Sequence, residues 1–449
     1  MNAYIERVLE TVKTRNREMP EFIQAVEEVL YSLESVIDQH PEYEKNAILE
    51  RMVEPDRLFE FRVTWMDDKG QPQVNRGFRV QFNGAIGPYK GGLRFHPSVY
   101  VGTVKFLGFE QVLKNSLTGL PMGGGKGGSD FDPKGKSDAE VMRFCQAFMT
   151  ELSKYIGPDV DIPAGDIGVG GREIGFMFGQ YRRITSAYNG GVLTGKAIPY
   201  GGSLIRPEAT GFGAVYYLME ALKHDNVDIK GKTVVLSGYG NVTWGAAKKL
   251  AELGAIPVTI SGRAGYVYDK AGITTDEKLN YLLEMRENNA ASVLADYAAK
   301  FGAEFFPNEK PWCVKGDIAM PCATQNEVGM EEAKTIIANG TKYYVEVSNM
   351  PTSNEAMKYM MENGVVLGPS KAANAGGVAV SGLEMSQNSA RLSWTAEEVD
   401  GRLQNIMKNI FSNSVEAAAR YGLGYNLVAG GNIAGFEKVV SAMMSQGWI

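Results

Sequence analysis

The sequence is poor in the side chains that most often bind metals or form disulfides. It has three cysteines and three histidines among its 449 residues, and neither set has the spacing of a metal site. A histidine-dependent catalytic triad would have few candidates, so we assign proton transfer near neutral pH to lysines and carboxylates. Three widely spaced cysteines favour reduced, mostly buried thiols in a cytoplasmic protein.

Long apolar runs and clusters of basic residues are also missing. No uninterrupted apolar stretch approaches the roughly 20 residues of a membrane-spanning helix, and the first residues lack the apolar segment of a secretory signal. The formal net charge is −6, without a lysine- or arginine-rich run. We therefore expect a cytoplasmic protein that binds neither membranes nor nucleic acids.

Glycine, by contrast, is abundant, with 53 residues. Glycine allows sharp turns and the close approach of backbone to a ligand, so several ligand-lined turns are expected, although most glycines will simply close turns and cap helices. A chain of this length is too long for one compact core, and two domains are the default expectation.

Strands and helices alternate along the chain, which predicts an α/β fold. The first 55 residues are predicted to be helical because apolar residues recur at helical spacing. In the first half we predict strands at Leu58–Thr64, Gly77–Asn83, Gly128–Phe131 and Val160–Ile162, and helices at Val101–Leu117 and from Ser137. In the second half we predict strands at Lys232–Ser237, Pro257–Ser261, Asp317–Met320, Tyr343–Val347 and Val365–Leu367, and helices at Val242–Leu253, Thr275–Phe301 and from about Gly377 onward. The glycine- and proline-containing stretch 190–213 suggests a crossing between domains.

A glycine turn between strand and helix indicates a dinucleotide site. After the predicted strand, the chain continues as Gly238-Tyr239-Gly240-Asn241-Val242-Thr243. This arrangement places pyrophosphate against backbone N–H groups at a helix N-terminus. Thr243 stands where the third Gly or Ala of the full fingerprint belongs, which weakens the match without removing it. A bare G-x-G is often only a tight turn, but the strand before it and the helix after it favour dinucleotide binding.

The end of the next strand should read the cofactor ribose. It carries Ser261 and Arg263 and no acidic residue to accept a hydrogen bond from a free 2′-hydroxyl. These residues could hold a 2′-phosphate, which favours NADP over NAD; the alternative is that Arg263 is a solvated loop arginine. A phosphate loop of the triphosphatase type is excluded, because Ala197 follows the G-x-x-x-x-G-K pattern of Gly190–Lys196 where Ser or Thr would bind magnesium.

Lysines among glycines suggest a site for proton transfer. Lys90, Lys114 and Lys126 lie in or beside glycine-rich segments. Burial and neighbouring ammonium groups lower the pKa of a lysine, so that it can exchange protons near neutral pH. Each lysine alone is more often a surface charge, and the case depends on a nearby carboxylate. Asp166, on a glycine-flanked turn, is that candidate, although it could instead cap the following helix.

The residues resemble the glutamate dehydrogenase family (Glu/Leu/Phe/Val dehydrogenases) in its small hexameric form, over essentially the whole chain. The resemblance is dense in Phe82–Phe95, Pro121–Asp132, Pro163–Gly170, Arg206–Gly211, Pro321–Asn326 and Asn374–Gly377. It implies a substrate-binding and oligomerisation domain with a mixed sheet (1–200), a Rossmann-like dinucleotide-binding domain (201–424) and a last helix (425–449) that packs back on the first domain. It also implies a cytoplasmic homohexamer in amino-acid metabolism and nitrogen assimilation.

The implied reaction is the reversible oxidation of L-glutamate to 2-oxoglutarate and ammonium, with hydride transfer to NADP or, as the alternative, NAD. The resemblance implies that Lys126 activates water and that Asp166 moves protons on and off the amino nitrogen. Hydride transfer needs the nicotinamide in van der Waals contact with the substrate, which a cleft between two hinged domains would provide.

Further roles come from the resemblance residue by residue. Lys114, with Gln111, resembles the anchor of the α-carboxylate, and Lys90 with Ser381 resembles the pair that holds the side-chain carboxylate. Positions around the substrate and the nicotinamide are matched by Thr194, Arg206, Thr210 and Asn349. Lys134 resembles a lysine that faces the 2′-phosphate in NADP-using members. Arg263 and Ala264 depart from the Pro-Asp of an otherwise similar NAD-using type.

Two rival functions stay open. One is a dehydrogenase of an apolar amino acid, against which Lys90 and Ser381 argue. The other is a nonenzymatic dinucleotide-sensing protein, which the presence of both Lys126 and Asp166 disfavours.

Overall fold

A computed structural model describes residues 2–287 and 292–448. The chain forms two compact units, and the predicted two-domain α/β class is confirmed. The first unit contains the described residues up to Leu204, together with Val380–Val399 and the residues from Asn432 onward. The second contains Ile205–Ala379 and Asp400–Gly431.

The first unit is built on a mixed sheet. Its strands are β1 (Arg57–Met66), β2 (Pro72–Asn83), β3 (Tyr89–Phe95), β4 (Gly123–Ser129) and β5 (Asp161–Gly165). Over the described residues their order is β1-β2-β4-β3-β5, with antiparallel pairing of β1 to β2 and of β2 to β4 and parallel pairing of β3 to β4 and to β5. Its helices are α1 (Ala3–Arg15), α2 (Pro20–Ser32), α3 (Glu34–Gln39), α4 (Pro41–Lys45), α5 (Ile48–Val53), α6 (Val101–Leu117), α7 (Asp138–Leu152) and α8 (Gly171–Thr185).

Aromatic packing fixes α7 against this sheet. The helix begins at a capping box, in which the Ser137 hydroxyl accepts the Glu140 N–H and the Glu140 carboxylate accepts the Ser137 N–H. The buried ring of Phe144 stacks on Phe131 with 3.8 Å between ring centroids and meets Phe95 of β3 edge-on at 5.1 Å. These rings hold β3, which carries residues of the candidate site.

Two strands of the first unit differ from the prediction. The strand predicted at Gly128–Phe131 runs instead over Gly123–Ser129, and β3 was missed. Both segments are rich in glycine, which has a low strand propensity. Here glycine serves close packing, because a Cβ on Gly124 would lie 2.4 Å from a methyl of Val112 in α6. Lys126 therefore lies in the middle of a buried strand rather than in a glycine loop.

The second unit has a parallel sheet and a small antiparallel one. Its strands are β6 (Thr233–Leu236), β7 (Ile256–Pro257), β8 (Thr259–Gly262), β9 (Gly265–Tyr268), β10 (Glu304–Pro307), β11 (Ile318–Met320), β12 (Tyr343–Val345) and β13 (Val366–Gly368). In the part of the chain that the structure describes, the parallel order is β13-β12-β11-β6-β7, and β8, β9 and β10 form the antiparallel sheet. Its helices are α9 (Ala209–His224), α10 (Asn241–Glu252), α11 (Asp276–Glu287), α12 (Val293–Phe301), α13 (Met330–Ala338), α14 (Asn354–Glu362) and α15 (Ser370–Ala373).

Two predicted elements of this unit are divided. The strand Pro257–Ser261 separates into β7 and β8, because the Thr259 hydroxyl bonds to the backbone of Leu236 and β8 then pairs with β9. The helix Thr275–Phe301 is observed as α11 and α12, and residues 288–291 of that prediction lie outside the described residues. The strands β9 and β10 and their antiparallel pairing were not predicted.

Three long helices run from one unit into the other: α16 (Gly376–Ala390), α17 (Ala396–Arg420) and α18 (Leu427–Gln446). The sequence assigned all of 201–424 to the second domain. In the structure Val380–Val399 belongs to the first unit, because Glu384 forms a buried ion pair with Lys196 and Gln387 donates a hydrogen bond to Ser203. The part of α18 from Asn432 also belongs to the first unit, where Asn432 bonds to Glu28 of α2.

The described residues contain no helix long and apolar enough to cross a bilayer. Nor do they contain a group of three or more histidine, cysteine or acidic side chains that could hold a metal ion. Cys145 and Cys322 are buried, Cys313 is exposed, and all three are free thiols.

Candidate active site

Lys126 and Asp166 meet in the first unit. The Nζ atom of Lys126, in β4, lies 2.8 Å from Oδ2 of Asp166, which directly follows β5. The Lys126 side chain is 6% exposed and that of Asp166 is 19% exposed. The alternative role of Asp166 as a helix cap is not observed, since the Glu173 carboxylate accepts the N–H of Gly170 at the start of α8.

A second cation, Arg94 of β3, also binds this carboxylate. Its Nε donates to Oδ2 of Asp166 at 2.9 Å. Burial lowers the pKa of Lys126, and the charges of Arg94 and Arg79 lower it further, whereas Asp166 opposes the shift. Burial alone would raise the pKa of Asp166, but the charges and hydrogen bonds of Arg94 and Lys126 hold it well below its usual range. The Asp166 carboxylate is thus ionised. Lys126 loses its proton at a lower pH than an ordinary lysine does.

A glycine makes room for this pair. A Cβ built on Gly92 of β3 would lie 3.3 Å from Nζ of Lys126, 3.0 Å from Cβ of Asp166 and 2.8 Å from the carbonyl oxygen of Gly165. The last distance is shorter than real Cβ atoms tolerate, so any larger side chain would displace β5 or the pair. The glycine-rich pattern around the lysines therefore reflects close contact between strands as well as desolvation.

A buried ion pair beneath the site ties three strands together. The guanidinium of Arg79 in β2 donates two hydrogen bonds to the carboxylate of Asp161 at the start of β5, and a third, of 3.0 Å, to the carbonyl of Gly91 in β3. Both charged side chains are 0% exposed. Arg79 and Asp161 thus fix the strands that carry the candidate residues.

One residue predicted to bind a substrate carboxylate lies on the same face of the sheet as Lys126. Lys90 of β3 pairs with Gly124, two residues before Lys126 on β4, so both lysines project from one face. Lys90 is 1% exposed, and its Nζ donates to the Ile162 carbonyl at 3.0 Å. Ser381 of α16 is equally buried.

The α6 helix connects to this group through a residue that sequence reasoning missed. Asn115 accepts a hydrogen bond from Gln111 at 2.6 Å and donates to the carbonyl of Lys90 at 3.0 Å. Lys114, the predicted partner of Gln111, is half-buried on the same helix. The predicted residues of α6 and β3 are therefore linked by hydrogen bonds.

Thr194 lies on a loop that a second missed group holds in place. Its backbone N–H donates to the Pro163 carbonyl at 3.0 Å. Its hydroxyl is buried and has no hydrogen-bond partner among the described residues. The next two N–H groups, of Gly195 and Lys196, donate to the carboxylate of Glu384. Thr194 thus presents an unpaired hydroxyl from a tightly fixed backbone.

Lys196 and Glu384 form a fully buried pair. Both side chains are 0% exposed, with 2.7 Å between Nζ and Oε1. The ammonium also donates to the Leu193 carbonyl and to Oδ1 of Asn388, the latter at 2.9 Å. Burial lowers the pKa of Lys196, while Glu384 opposes that shift. This pair could not be predicted, because its members are 188 residues apart and no local pattern links them.

In the second unit the predicted dinucleotide turn has the required shape. Gly238 has a φ of +80°. Helix α10 then begins with Asn241 and Val242. Its N-cap is Gly240, and in the described structure no side chain caps this end of the helix. A helix N-terminus after a glycine turn is the kind of site at which pyrophosphates bind. Thr243 replaces the third glycine without harm, since its hydroxyl donates to the Ser237 carbonyl at 2.9 Å.

Ser261 and Arg263 differ in their contacts. The Ser261 hydroxyl accepts the N–H of Gly238 at 2.9 Å, which ties the end of β8 to the glycine turn. Arg263, immediately after β8, is exposed, and within residues 2–287 and 292–448 it has no hydrogen bond or ion pair. Its guanidinium is free to meet an anion.

The other predicted residues fall into two places. Gly377 lies between Thr210 and Arg206, since its Cβ would be 2.5 Å from the Thr210 hydroxyl and 3.8 Å from the Arg206 guanidinium. Asn349 of the same unit accepts a hydrogen bond from Asn374 at 3.0 Å. Lys134 belongs to the first unit, where it is exposed after β4.

Family models match both halves of the chain. The model described as Glutamate/Leucine/Phenylalanine/Valine dehydrogenase matches residues 201–447, and the one described as Glu/Leu/Phe/Val dehydrogenase, dimerisation domain, matches residues 55–183. The chain belongs to the Glu/Leu/Phe/Val dehydrogenase family. The resemblance seen in the sequence is thereby confirmed.

Within the Glu/Leu/Phe/Val dehydrogenase family, relatives match the whole chain. The NAD-specific glutamate dehydrogenase of Clostridium symbiosum is 65% identical over 448 residues, which cover 100% of this chain and 99% of that protein. The NADP-specific glutamate dehydrogenase of Psychrobacter sp. (strain TAD1) is 53% identical, with 99% of each chain covered. A solved structure of a glutamate dehydrogenase has a TM-score of 0.98 at 64% identity and covers 100% of both chains.

Proposed function

We propose that this chain catalyses the reversible oxidative deamination of L-glutamate to 2-oxoglutarate and ammonium, with a nicotinamide dinucleotide as the hydride acceptor. The observation that carries the proposal is the 2.8 Å contact between Lys126 and Asp166 in a largely buried site. The glutamate dehydrogenases among the relatives support the choice of substrate.

The two residues divide the proton transfers. Asp166, held ionised, accepts a proton from the substrate amino nitrogen, so that the nitrogen lone pair is available when hydride leaves the α-carbon. The bound dinucleotide supplies the acceptor for that hydride. The resulting iminium cation would be repelled by a charged Lys126. The lowered pKa of Lys126 favours its neutral amine and so weakens this repulsion. Neutral Lys126 then takes a proton from water as the water attacks the imine carbon.

The buried ammonium of Lys90 favours a dicarboxylate substrate. Lys90 and Ser381 are both 1% exposed, and a buried ammonium is costly unless an anion or several polar groups surround it. A glutamate side-chain carboxylate would provide that anion, and Lys114 would hold the α-carboxylate. An apolar amino acid would offer Lys90 no carboxylate, which disfavours the alternative of an apolar-substrate dehydrogenase.

For the cofactor we propose NADP in preference to NAD. The relatives are of both kinds, so the choice depends on this chain's own residues. The exposed Arg263 follows β8, where an acidic residue would otherwise accept from a free 2′-hydroxyl. The Ser261 hydroxyl accepts from Gly238 and keeps its own proton for donation to a phosphate. The role of Lys134 at the same phosphate stays a prediction.

The test is a spectrophotometric comparison of NADP and NAD reduction with glutamate and with norvaline. We expect rapid reduction with glutamate, slow reduction with norvaline and a higher kcat/KM with NADP. Faster reaction with norvaline would refute the substrate, and a strong preference for NAD would refute the cofactor. No reduction under any condition would favour a nonenzymatic dinucleotide-sensing protein.

A homohexamer, a cytoplasmic location and a role in nitrogen assimilation belong to the same proposal. Light scattering coupled to size-exclusion chromatography would test the hexamer.

A further inference from the structure

Asp166 is held asymmetrically. Lys126 and Arg94 both donate to its Oδ2 atom, at 2.8 and 2.9 Å. Its Oδ1 atom accepts no hydrogen bond from the described residues. This atom is also not fully buried, since it is not among the fully buried side-chain atoms that lack a hydrogen-bond partner. One carboxylate oxygen is therefore fixed by two cations, and the other faces accessible space.

We infer that Arg94 is a positioning residue that holds Asp166 by Oδ2, so that Oδ1 is the oxygen that accepts the substrate proton. Lys126 alone could not hold the carboxylate in this way throughout the reaction, because its amine must itself exchange protons. A guanidinium stays protonated at any pH at which the protein works. Arg94 therefore keeps the carboxylate oriented while the charge of Lys126 changes.

Arg94 also acts on Lys126 through charge. The charges of Arg94, on β3, and of Arg79, on the opposite face of the sheet, both lower the pKa of Lys126, and Asp161 of β5 neutralises Arg79 by direct contact. Of these two cations, Arg94 is the one that shares the Asp166 acceptor with Lys126. Its loss would raise the pKa of Lys126 and make the neutral amine rarer at a given pH.

A merely structural role predicts a different outcome. If Arg94 only tied β3 to the turn after β5, its replacement would lower stability but leave both kcat and its pH dependence unchanged in the folded enzyme. The inference rests on the proposed function, since the pH dependence is read from glutamate oxidation. An inactive wild-type protein would refute that function before any variant is made.

The experiment compares Arg94→Gln, Arg94→Lys and the control Arg76→Gln. Arg76 lies on β2 with 70% of its side chain exposed and has a distant ion pair of 3.9 Å to Glu60. For each folded variant, kcat/KM for glutamate is measured against pH, with the dinucleotide saturating. We expect kcat/KM to rise with pH as Lys126 loses its proton, and this increase is the rising limb of the profile.

For Arg94→Gln we expect the rising limb to move about one pH unit or more upward and kcat to fall about tenfold or more. Arg94→Lys should keep the limb near its wild-type position but lower kcat, since one ammonium cannot reproduce the guanidinium geometry. Arg76→Gln should match wild type. An unmoved limb with kcat within about twofold in Arg94→Gln would overturn the inference. If Arg94→Gln does not fold, Arg94→Lys decides: reduced kcat with an unmoved limb supports the inference, and wild-type kcat overturns it.

Discussion

Replacement of Glu384 by glutamine should destabilise the first unit strongly at neutral pH. The N–H groups of Gly195 and Lys196 donate to different oxygens of Glu384, so glutamine keeps an acceptor for only one of them, and it removes the charge that balances the Lys196 ammonium. Both side chains are 0% exposed, so water cannot replace the lost partner. Breaking a buried ion pair costs about 3–5 kcal/mol. The Leu193 carbonyl and Asn388 remain as acceptors, and we expect the lower end of that range.

The cost should shrink as pH rises. Burial lowers the pKa of Lys196, and Glu384 opposes that shift, so loss of Glu384 lowers the folded-state pKa further. Between that lowered value and the ordinary lysine value of the unfolded chain, the unfolded state binds more protons, and stability therefore increases with pH. The double variant Lys196→Met/Glu384→Gln has no charge to bury. It should be more stable than Glu384→Gln at neutral pH and should lack this pH dependence.

The measurement is urea unfolding followed by circular dichroism at one fixed protein concentration, near neutral pH and at about pH 9. A loss of less than about 1 kcal/mol for Glu384→Gln, typical of a surface ion pair, would contradict the reasoning. So would a double variant no more stable than the single one. Folded Glu384→Gln should also have reduced kcat, because Gly195 adjoins Thr194.

Three further predictions concern the two binding regions. Gly92→Ala places a methyl 2.8 Å from the Gly165 carbonyl oxygen and 3.3 Å from Nζ of Lys126. We expect it to destabilise the protein by about 1–3 kcal/mol and to lower kcat clearly. The control Gly171→Ala has nothing within 4 Å of the added carbon and should leave kcat unchanged. Asp166→Asn should lower kcat about 10²- to 10⁴-fold. It should also move the rising limb of the pH profile to lower pH, because Asp166 raises the pKa of Lys126. A shift to higher pH, as expected for Arg94→Gln, would contradict the effect assigned to the Asp166 charge. Arg263→Ala should raise KM for NADP about tenfold or more, the effect of losing a hydrogen bond to a charged group, and leave KM for NAD unchanged; equal effects on both cofactors would show that Arg263 does not contact the 2′-phosphate.

The fold was predictable where one local signal dominates. The segment Val101–Leu117 was predicted as a helix with the bounds observed for α6, and Ser137 with its following acidic residues was predicted to open α7, which it caps. The strands β3 and β4 were not recognised, because their glycines follow from contacts with neighbouring strands and with α6. Only the assembled sheet shows that Gly91, Gly92 and Gly124 leave no room for a Cβ atom.

The candidate site was predictable in its central pair, Lys126 and Asp166, but not in the charged residues around that pair. Lys126 and Asp166 could be proposed from residue type and resemblance. Arg94 could not, since it acts across 72 residues of sequence on an atom that only the structure locates. Glu384 and Lys196 are farther apart still, and a single sequence carries no record of which charges meet. Long-range ion pairs are therefore what the structure adds.

The connectivity of the two units also constrains how the protein is made. The chain passes from one unit to the other after Leu204, Ala379, Val399 and Gly431. During synthesis the N-terminal unit cannot be completed when its own sheet has left the ribosome, because Glu384 and the helix from Asn432 emerge much later. Until then Lys196 lacks its counter-charge and α2 lacks its contact with Asn432. The first unit would have to wait for the second unit to be translated before it reaches its final stability.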